Sequence, residues 1–312
     1  MHRRDVAACL RAAISAKAAV AAAACLVLVP LALPSRASDR PAVVVVPDTE
    51  RPALSAEIRE QMAAYDSVTK FPLPALEDDR LKELLDGEVV RFQEKWKLPD
   101  SGDEEQARHR VIAFRLVRAP RGVVWVSALD PHFSLNDRIT EVPLSEDSSG
   151  GSRWYQFMDL PWPVRNRHWV IRLEKGVEVA TRTSGRVWEQ SWHLVPDGKA
   201  IAEALADSGK TGDVSPDHVR GARYLEANDG AWALFALRDD LTLIAYNLTI
   251  TLGGWIPEGM AARFAMSALE DMMDRIAVNT ERVPTHYVEG HETIYAGDGS
   301  PIPPGTPPAA SP

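Results

Sequence analysis

Cysteine is scarce in this 312-residue chain, which limits the chemistry that the protein can perform. Both cysteines, Cys9 and Cys25, lie in an N-terminal segment that we expect to be removed. The rest of the chain therefore holds no disulfide, thiolate metal site, iron–sulfur cluster or cysteine nucleophile. The roughly 250 residues of the expected folded part are enough for one large domain that is stable on its own core.

The N-terminal segment has the features of an export signal. A 16-residue apolar run, Ala18–Leu33, follows four basic residues, and Ser35-Arg36-Ala37 places small residues where a signal peptidase cleaves. The run is shorter than the about 20 residues that span a membrane, which favours cleavage. We predict a signal peptide over residues 1–37 and a periplasmic or secreted protein, with an uncleaved signal anchor as the alternative.

Basic residues are fewer than acidic ones, and the common catalytic motifs are missing. Lys and Arg number 35 against 44 Asp and Glu, a net charge of −9, so the surface should repel nucleic acid. His286 and His291 flank Glu289, but neither His-Glu-x-x-His nor Gly-x-Ser-x-Gly occurs. The sequence therefore predicts no catalytic residue, metal site, cofactor or nucleic-acid partner.

Apolar periodicity divides the rest of the chain into a helical start and a strand-rich body. Helical spacing occurs over Leu54–Tyr65, within a linker and preface segment of residues 38–74, and again over Leu76–Leu85. A short helix follows Pro120, and another is expected at Ile201–Leu205. Strand patterns cover Val111–Val117, Ile139–Leu144, Arg153–Asp159, Arg167–Leu173, Arg186–Leu194, His218–Glu226, Ala231–Leu237 and Leu241–Leu252.

These elements predict an α+β fold. Short turns at Asn228–Gly230 and Arg238–Asp240 indicate that neighbouring strands pair antiparallel. A long amphipathic helix begins near Pro257, and we expect it to lie across the concave face of the sheet. The last segment, residues 286–312, is rich in proline and predicts a disordered tail.

Several sequence pieces, in this order and spacing, resemble the START family. The pieces are Ala119–Trp125 ("A-P-x-x-V-W"), Leu160–Val170 ("P-x-P … R-D-hydrophobic"), Gly221–Arg223, Gly230–Leu234, Leu241–Tyr246 and Gly253–Pro257 ("G-G-x-I-P"). The match covers about Leu76 to Val283. Each piece alone is weak, and the order carries the resemblance.

The resemblance implies a helix-grip fold for residues 75–285. In that fold a curved antiparallel β-sheet wraps around a long C-terminal α-helix and encloses an apolar cavity for a lipid, sterol-like or polyketide-like molecule. The chain departs from the family where many members carry Arg-Asp, since it has Arg167-His168, and where they carry Asp-x-Gly-Gly, since it has Thr251-Leu252-Gly253-Gly254. Ligand identity is therefore not carried over.

Aromatic and methionine side chains are the candidates to line such a cavity. Seven of the nine tryptophans lie between Trp154 and Trp255, and four of the seven methionines lie on the final helix. Large flat rings and adaptable methionines suit a ligand of variable shape, but they suit an ordinary core equally. The predicted ligand-binding residues are Arg167, Trp169, Trp188, Trp192, Trp232, Tyr246, Met260, Phe264 and Met272.

Arg167 is the one charged candidate. A buried guanidinium needs an acceptor, which would be Asp159, Glu189 or the polar head of a ligand, and the alternative is a solvated arginine at the mouth of the strand.

We expect a monomeric protein that binds a hydrophobic small molecule and is not an enzyme. Transient contact with a membrane is compatible with this expectation. A polyketide cyclase is the alternative, with Tyr246, His168 and Arg167 as its acid–base candidates. A cavity filled by side chains is a third reading.

Overall fold

The computed structural model describes residues 42–96, 108–146, 151–160, 162, 164–252 and 258–305, and of residues 146, 258–264 and 267 it describes the main chain only. The predicted signal segment 1–37 lies outside these residues, and so does the acidic stretch Asp100–Glu105, which the sequence predicts to be a loop. Within them, no helix combines the length and the apolar character that crossing a membrane requires.

One large antiparallel sheet organises the described residues, as predicted for an α+β fold. Its strands are β1 (Val90–Trp96), β2 (Arg108–Val117), β3 (Ile139–Glu146), β4 (Ser152–Met158), β5 (Arg167–Lys175), β6 (Val187–Leu194), β7 (Arg223–Tyr224), β8 (Ala227–Arg238) and β9 (Leu241–Thr251). The spatial order is β1-β2-β9-β8-β6-β5-β4-β3, and the two-residue β7 pairs parallel to β5. A separate hairpin joins β10 (Ile294–Tyr295) to β11 (Pro301–Ile302).

Seven helices accompany the sheet in the described part of the chain. They are α1 (Arg51–Asp66), α2 (Asp78–Leu85), α3 (Arg121–Leu129), α4 (Val177–Arg182), α5 (Gly198–Asp207), α6 (Pro216–Gly221) and α7 (Glu258–His286). The predicted helices at 54–65, 76–85 and 201–205 are confirmed within a few residues as α1, α2 and α5.

The sheet has two differently covered faces, because successive side chains of a strand point to opposite sides. We call the side that packs against α3 and α7 the inner face, and it carries Trp192, Trp232 and Ile244. The other side, the outer face, carries Ala233 and Phe235 and packs against α1 and α2. The sheet is therefore buried on both sides over its central strands.

Helix α7 lies across the inner face. Its Leu269, Met273 and Ile276 are buried in the same apolar cluster as Trp125 of α3 and the inner-face tryptophans. An ion pair of 2.9 Å between Arg91 of β1 and Glu270 also ties the helix to the sheet. This confirms the predicted arrangement of an antiparallel sheet gripped by a long C-terminal helix.

The outer face is covered by the helices that precede and interrupt the strands. Ile58 of α1 and Leu84 of α2 are fully buried in the cluster that contains Phe114 and Phe235. Val44 and Val46, from the predicted linker, join this cluster without forming a strand. Helices α5 and α6 cover Tyr155 and the neighbouring part of β4 and β5.

Two local predictions are wrong. His218–Glu226 is not a strand but α6 followed by β7, because the Ser215 hydroxyl caps the amide of His218 and Pro216 starts the helix. Asn228–Gly230 is not a turn but part of β8. There glycine is needed because an added Cβ at Gly230 would lie 2.4 Å from Cζ2 of Trp192.

The segment after α7 is also more structured than its composition indicates. Residues 294–302 form the β10–β11 hairpin, and the Tyr287 hydroxyl donates a 2.5 Å hydrogen bond to the carbonyl of Ile302. Ala296 is fully buried, and the Trp125 indole donates to the carbonyl of Tyr295. Through residue 305, therefore, the predicted tail packs back onto α3.

Candidate functional site

Three aromatic rings form the centre of the inner face. Trp192 of β6 stacks on Tyr246 of β9 with ring centroids 5.4 Å apart and 27° between the planes. The ring centroid of Trp232, on the intervening strand β8, lies 4.3 Å from that of Tyr246. The Trp192 indole donates a 2.9 Å hydrogen bond to Asn228 Oδ1, which orients the ring. The sheet therefore presents a continuous aromatic surface toward α7.

The strand register places two polar side chains in line with this aromatic surface. Tyr246 is paired with Trp232, Trp232 with Gln190, and Gln190 with Lys175, so the four side chains form one row across β9, β8, β6 and β5. Directly opposed residues share a face and contact one another. The row runs from aromatic rings to an amide and an ammonium group.

Lys175 is the cationic group at the end of this row. Its ammonium donates a hydrogen bond to Oε1 of Gln190 and lies 5.1 Å from the centroid of the Trp125 ring. Both neighbours are uncharged, and burial lowers the pKa of Lys175 to about 8. An anionic group brought to this position would find a cation with little competition from water.

A second polar group lies further along the inner face, on β3–β5. The Trp169 indole donates a 2.6 Å hydrogen bond to Gln156 Oε1, and the Gln156 amide donates to a carboxylate oxygen of Glu141. The surrounding protein raises the pKa of Glu141, although its side chain is exposed to solvent by area.

The apolar side chains around the aromatic centre are incompletely covered. The surrounding protein desolvates the Tyr246 hydroxyl and so raises its pKa, and the negative charge of Glu141 adds to the rise. Part of the Tyr246 side chain is nevertheless exposed. The partly exposed members of the inner-face cluster include Trp154, Met158, Leu173, Leu194, Leu248, Ile250, Met266 and Met272. A fully packed core would bury such side chains completely.

Arg167 has a different environment from the one that an apolar pocket would provide. Its side chain is buried, and Nε donates a 2.7 Å hydrogen bond to the carbonyl of Leu252. Nη1 donates to the carbonyls of Arg165 and Asn166. These bonds connect the start of β5 to the end of β9.

The carboxylates proposed as partners of Arg167 are engaged elsewhere. Glu189 lies on the outer face and accepts hydrogen bonds from Tyr65 and Thr69, at 2.6 and 2.5 Å. Asp159 accepts a 3.0 Å bond from the amide of Asn166. Of the acceptors that the sequence allowed for Arg167, Glu189 is therefore excluded, because the two side chains belong to opposite faces of the sheet.

The other predicted ligand-binding residues separate into two groups. Trp169, Trp192, Trp232 and Tyr246 meet on the inner face, and Met272 packs beside them. Trp188 lies on the same face but is held by other protein groups, with the Trp125 ring 5.5 Å away and the Arg121 guanidinium 3.9 Å above its ring. Met260 and Phe264 belong to α7, and their side chains lie outside the described part of the structure.

His168 does not lie at the inner face. Its ring lies 6.0 Å from Tyr155 and 5.4 Å from Tyr224, under α5 and α6. Burial lowers its pKa to about 4. The hypothesis that His168 acts as an acid or base in a cavity beneath α7 is therefore wrong, because period two along β5 points it away from Trp169.

Sequence reasoning missed the polar groups of the inner face. Lys175 lies two residues beyond the predicted end of its strand, and continuing the alternation from Trp169 would have placed it on the same face. Glu141 and Gln156 meet only through the β3–β4 register, which the sequence alone does not specify.

Comparison with solved structures finds proteins of similar fold. A STAR-related lipid transfer protein from Xanthomonas axonopodis is 14% identical, with 68% of this chain and 99% of that chain covered and a TM-score of 0.44. Human StAR-related lipid transfer protein 5 is 9% identical, with 75% and 97% covered and a TM-score of 0.45. The Zhui aromatase/cyclase from a Streptomyces species is 12% identical, with 55% and 93% covered and a TM-score of 0.37.

These matches agree with the START resemblance of the sequence motifs. Because the identities and TM-scores are low, the ligand or activity of these proteins says nothing about this chain. No protein-family model matches the chain, and the search of curated proteins found no match.

Proposed function

We propose that this protein binds a hydrophobic small molecule between the inner face of the sheet and helix α7, without transforming it chemically. The observation that carries the proposal is the aromatic surface of Trp192, Tyr246 and Trp232, surrounded by apolar side chains that the protein leaves partly uncovered. A ligand that covered this surface would gain about 25 cal/mol per Å² of apolar area removed from water.

The polar groups suggest an amphiphilic ligand. Lys175 and Gln190 lie at one end of the aromatic row, where a carboxylate or phosphate would pair with the ammonium group. Binding sites of this kind are mostly apolar and use a few polar groups to fix orientation. We propose a single-chain lipid with an acidic head as the ligand class, carried in the cell envelope or outside the cell.

The test is to identify what the protein retains from its host. The full chain is purified without detergent, extracted with organic solvent and analysed by mass spectrometry, and an equal amount of an unrelated exported protein is the control. The proposal predicts an acidic lipid at a fixed ratio to the protein. An extract that matches the control, together with a delipidated protein that binds no fatty acid or lysophospholipid, would refute it.

The titratable groups of the inner face support a second candidate, a polyketide cyclase. Lys175, with its pKa near 8, and Glu141, with its raised pKa, are the kinds of group that act as general base and general acid. This candidate predicts that the protein accelerates closure of a poly-β-ketone chain and that Lys175→Met and Glu141→Gln each abolish the acceleration. Binding of the same compound without turnover would favour the carrier.

A further inference from the structure

Four potential metal ligands meet where α3 and α7 both end. Asp130 follows α3 directly and His132 lies two residues on, while His286 is the last residue of α7 and His291 lies in the turn that follows. One side-chain ligand atom from each residue lies within 4.8 Å of all the others. This group, which we call the histidine cluster, lies at the base of the C-terminal segment and includes none of the inner-face polar residues.

Two distances in the histidine cluster match the separation between ligand atoms of one metal ion. His286 Nε2 and His291 Nε2 lie 3.3 and 3.2 Å from Oδ2 of Asp130, yet neither nitrogen makes a hydrogen bond with a described residue. A tetrahedral ion with bonds of about 2.0–2.1 Å separates its ligand atoms by about 3.3 Å. His132 Nδ1, at 3.0 Å from Oδ1, completes the set.

The contact of Nδ1 selects one tautomer of the neutral His291 ring. Nδ1 lies 2.9 Å from the carbonyl of Glu292 and must donate its hydrogen to that oxygen. In the neutral ring Nε2 then carries a lone pair and faces a carboxylate oxygen, an arrangement that is repulsive unless a cation lies between them. A backbone carbonyl behind a histidine is also the usual support of a metal-binding imidazole.

Burial makes this need for a cation stronger. The Asp130 side chain is fully buried, and its Oδ2 accepts no hydrogen bond from any described residue. The His291 side chain is only 10% exposed. Asp130 Oδ1 accepts a 2.9 Å hydrogen bond from the main-chain amide of His132 and lies 3.0 Å from its ring Nδ1, so only Oδ2 lacks a donor. A buried carboxylate oxygen without a donor costs free energy, and the C-terminal ends of two helices add further negative potential.

We propose that Asp130, His132, His286 and His291 bind one zinc ion. Three imidazoles and one carboxylate are a donor set that zinc accepts, and four protein ligands leave no open coordination position, as in structural sites. His132, with 58% of its side chain exposed, would rotate inward to close the coordination sphere. The ion would join the ends of α3 and α7 and hold the β10–β11 segment against Trp125.

The test uses the full chain without a histidine tag, stripped with chelator and then titrated with zinc chloride. Metal content by mass spectrometry should reach about one zinc per chain, and the melting temperature should rise with free zinc as mass action requires. Cobalt(II) in place of zinc should give the intense visible absorption of a tetrahedral site. His291→Ala and His286→Ala should each weaken zinc binding at least tenfold.

The matched control is His218→Ala, because His218 is exposed on α6 and remote from the cluster in the chain. It should bind zinc like the wild type. Circular dichroism establishes that each variant is folded. The proposal is overturned if the wild type binds no more zinc than His291→Ala and His286→Ala do, or if cobalt gives only the weak spectrum of an octahedral surface complex.

Discussion

Trp192 and Tyr246 lie on strands that are not adjacent in the sheet, yet their rings stack at 5.4 Å across the intervening strand β8. The contact is possible because β8 contributes Gly230 opposite Trp192, leaving the space above it to the indole. A wide aromatic surface on the inner face therefore depends on one glycine.

Gly230→Ala should disturb this surface. The added Cβ would lie 2.2 Å from the carbonyl oxygen of Asn247 and 2.4 Å from Cζ2 of Trp192. Overpacking of this kind costs about 1–3 kcal/mol. Urea unfolding should show that loss, whereas Gly221→Ala, whose Cβ would meet nothing within 4 Å, serves as control. Equal stability of the two variants would contradict the packing described.

Lys175 should give ligand binding a characteristic pH dependence. Its native pKa of about 8 means that the uncomplexed ammonium loses its proton above pH 8. Binding of an acidic lipid should therefore weaken about tenfold between pH 7 and pH 9. Lys175→Met should bind weakly at both pH values, while Lys199→Met, at an exposed position, should keep the slope. A wild-type affinity that is flat over this range would rule out the ionic contact.

The same lysine should affect stability in the opposite direction. Because its pKa is lowered in the folded state, the unfolded chain binds more protons between about pH 8 and the ordinary lysine pKa. The free energy of unfolding should therefore rise with pH across that window in the ligand-free protein. Denaturant titrations of wild type and Lys175→Met check this, since the variant should lack the rise.

Arg167 should matter for stability and not for ligand binding. Its guanidinium donates to main-chain carbonyls that join β5 to β9, and lysine does not reproduce that fork. Arg167→Lys should lose about 1–3 kcal/mol of stability, while the folded fraction binds lipid as before. Arg165→Lys, at an exposed position, is the control. A selective loss of affinity in Arg167→Lys would restore the predicted role in ligand binding.

The raised pKa of Glu189 should make the free energy of unfolding fall as pH rises. Burial raises its pKa above the ordinary value of 4.5, so the folded state holds the proton more tightly than the unfolded chain. Its contribution is fully present below pH 4.5 and is lost as pH rises through the native pKa. Glu189→Gln should remove this part of the pH dependence. The exposed Glu178→Gln should keep it, and identical profiles for both variants would disprove the assignment.

Much of the fold could be predicted from local patterns. Alternation along the predicted strand Arg186–Leu194 is enough to assign Trp188 and Trp192 to one face, and the structure buries both on the inner face. The amphipathic pattern of the last helix likewise predicted that it covers the sheet. β1 was missed because its side chains after Val90 are mostly polar and partly exposed, as befits an edge strand. Local patterns identify elements well when a face is apolar.

The site could be predicted only in part, because its polar members meet through tertiary structure. Lys175 follows from strand alternation, whereas Glu141 reaches Gln156 only through pairing of β3 with β4. The histidine cluster is the extreme case, since Asp130 and His291 come from the ends of two helices that are far apart in the chain. No spacing rule along the sequence brings such residues together.

The most direct test of the central claim is photo-crosslinking of a diazirine fatty acid to the delipidated wild-type chain, with cross-linked residues mapped by mass spectrometry. The proposal predicts cross-links at Trp192, Trp232 or Tyr246 that an excess of unlabelled fatty acid abolishes. Trp162, with 86% of its surface exposed, is an internal reference for non-specific labelling. Competed labelling that avoids β6, β8 and β9, or labelling at Trp162 alone, would contradict the proposed binding site.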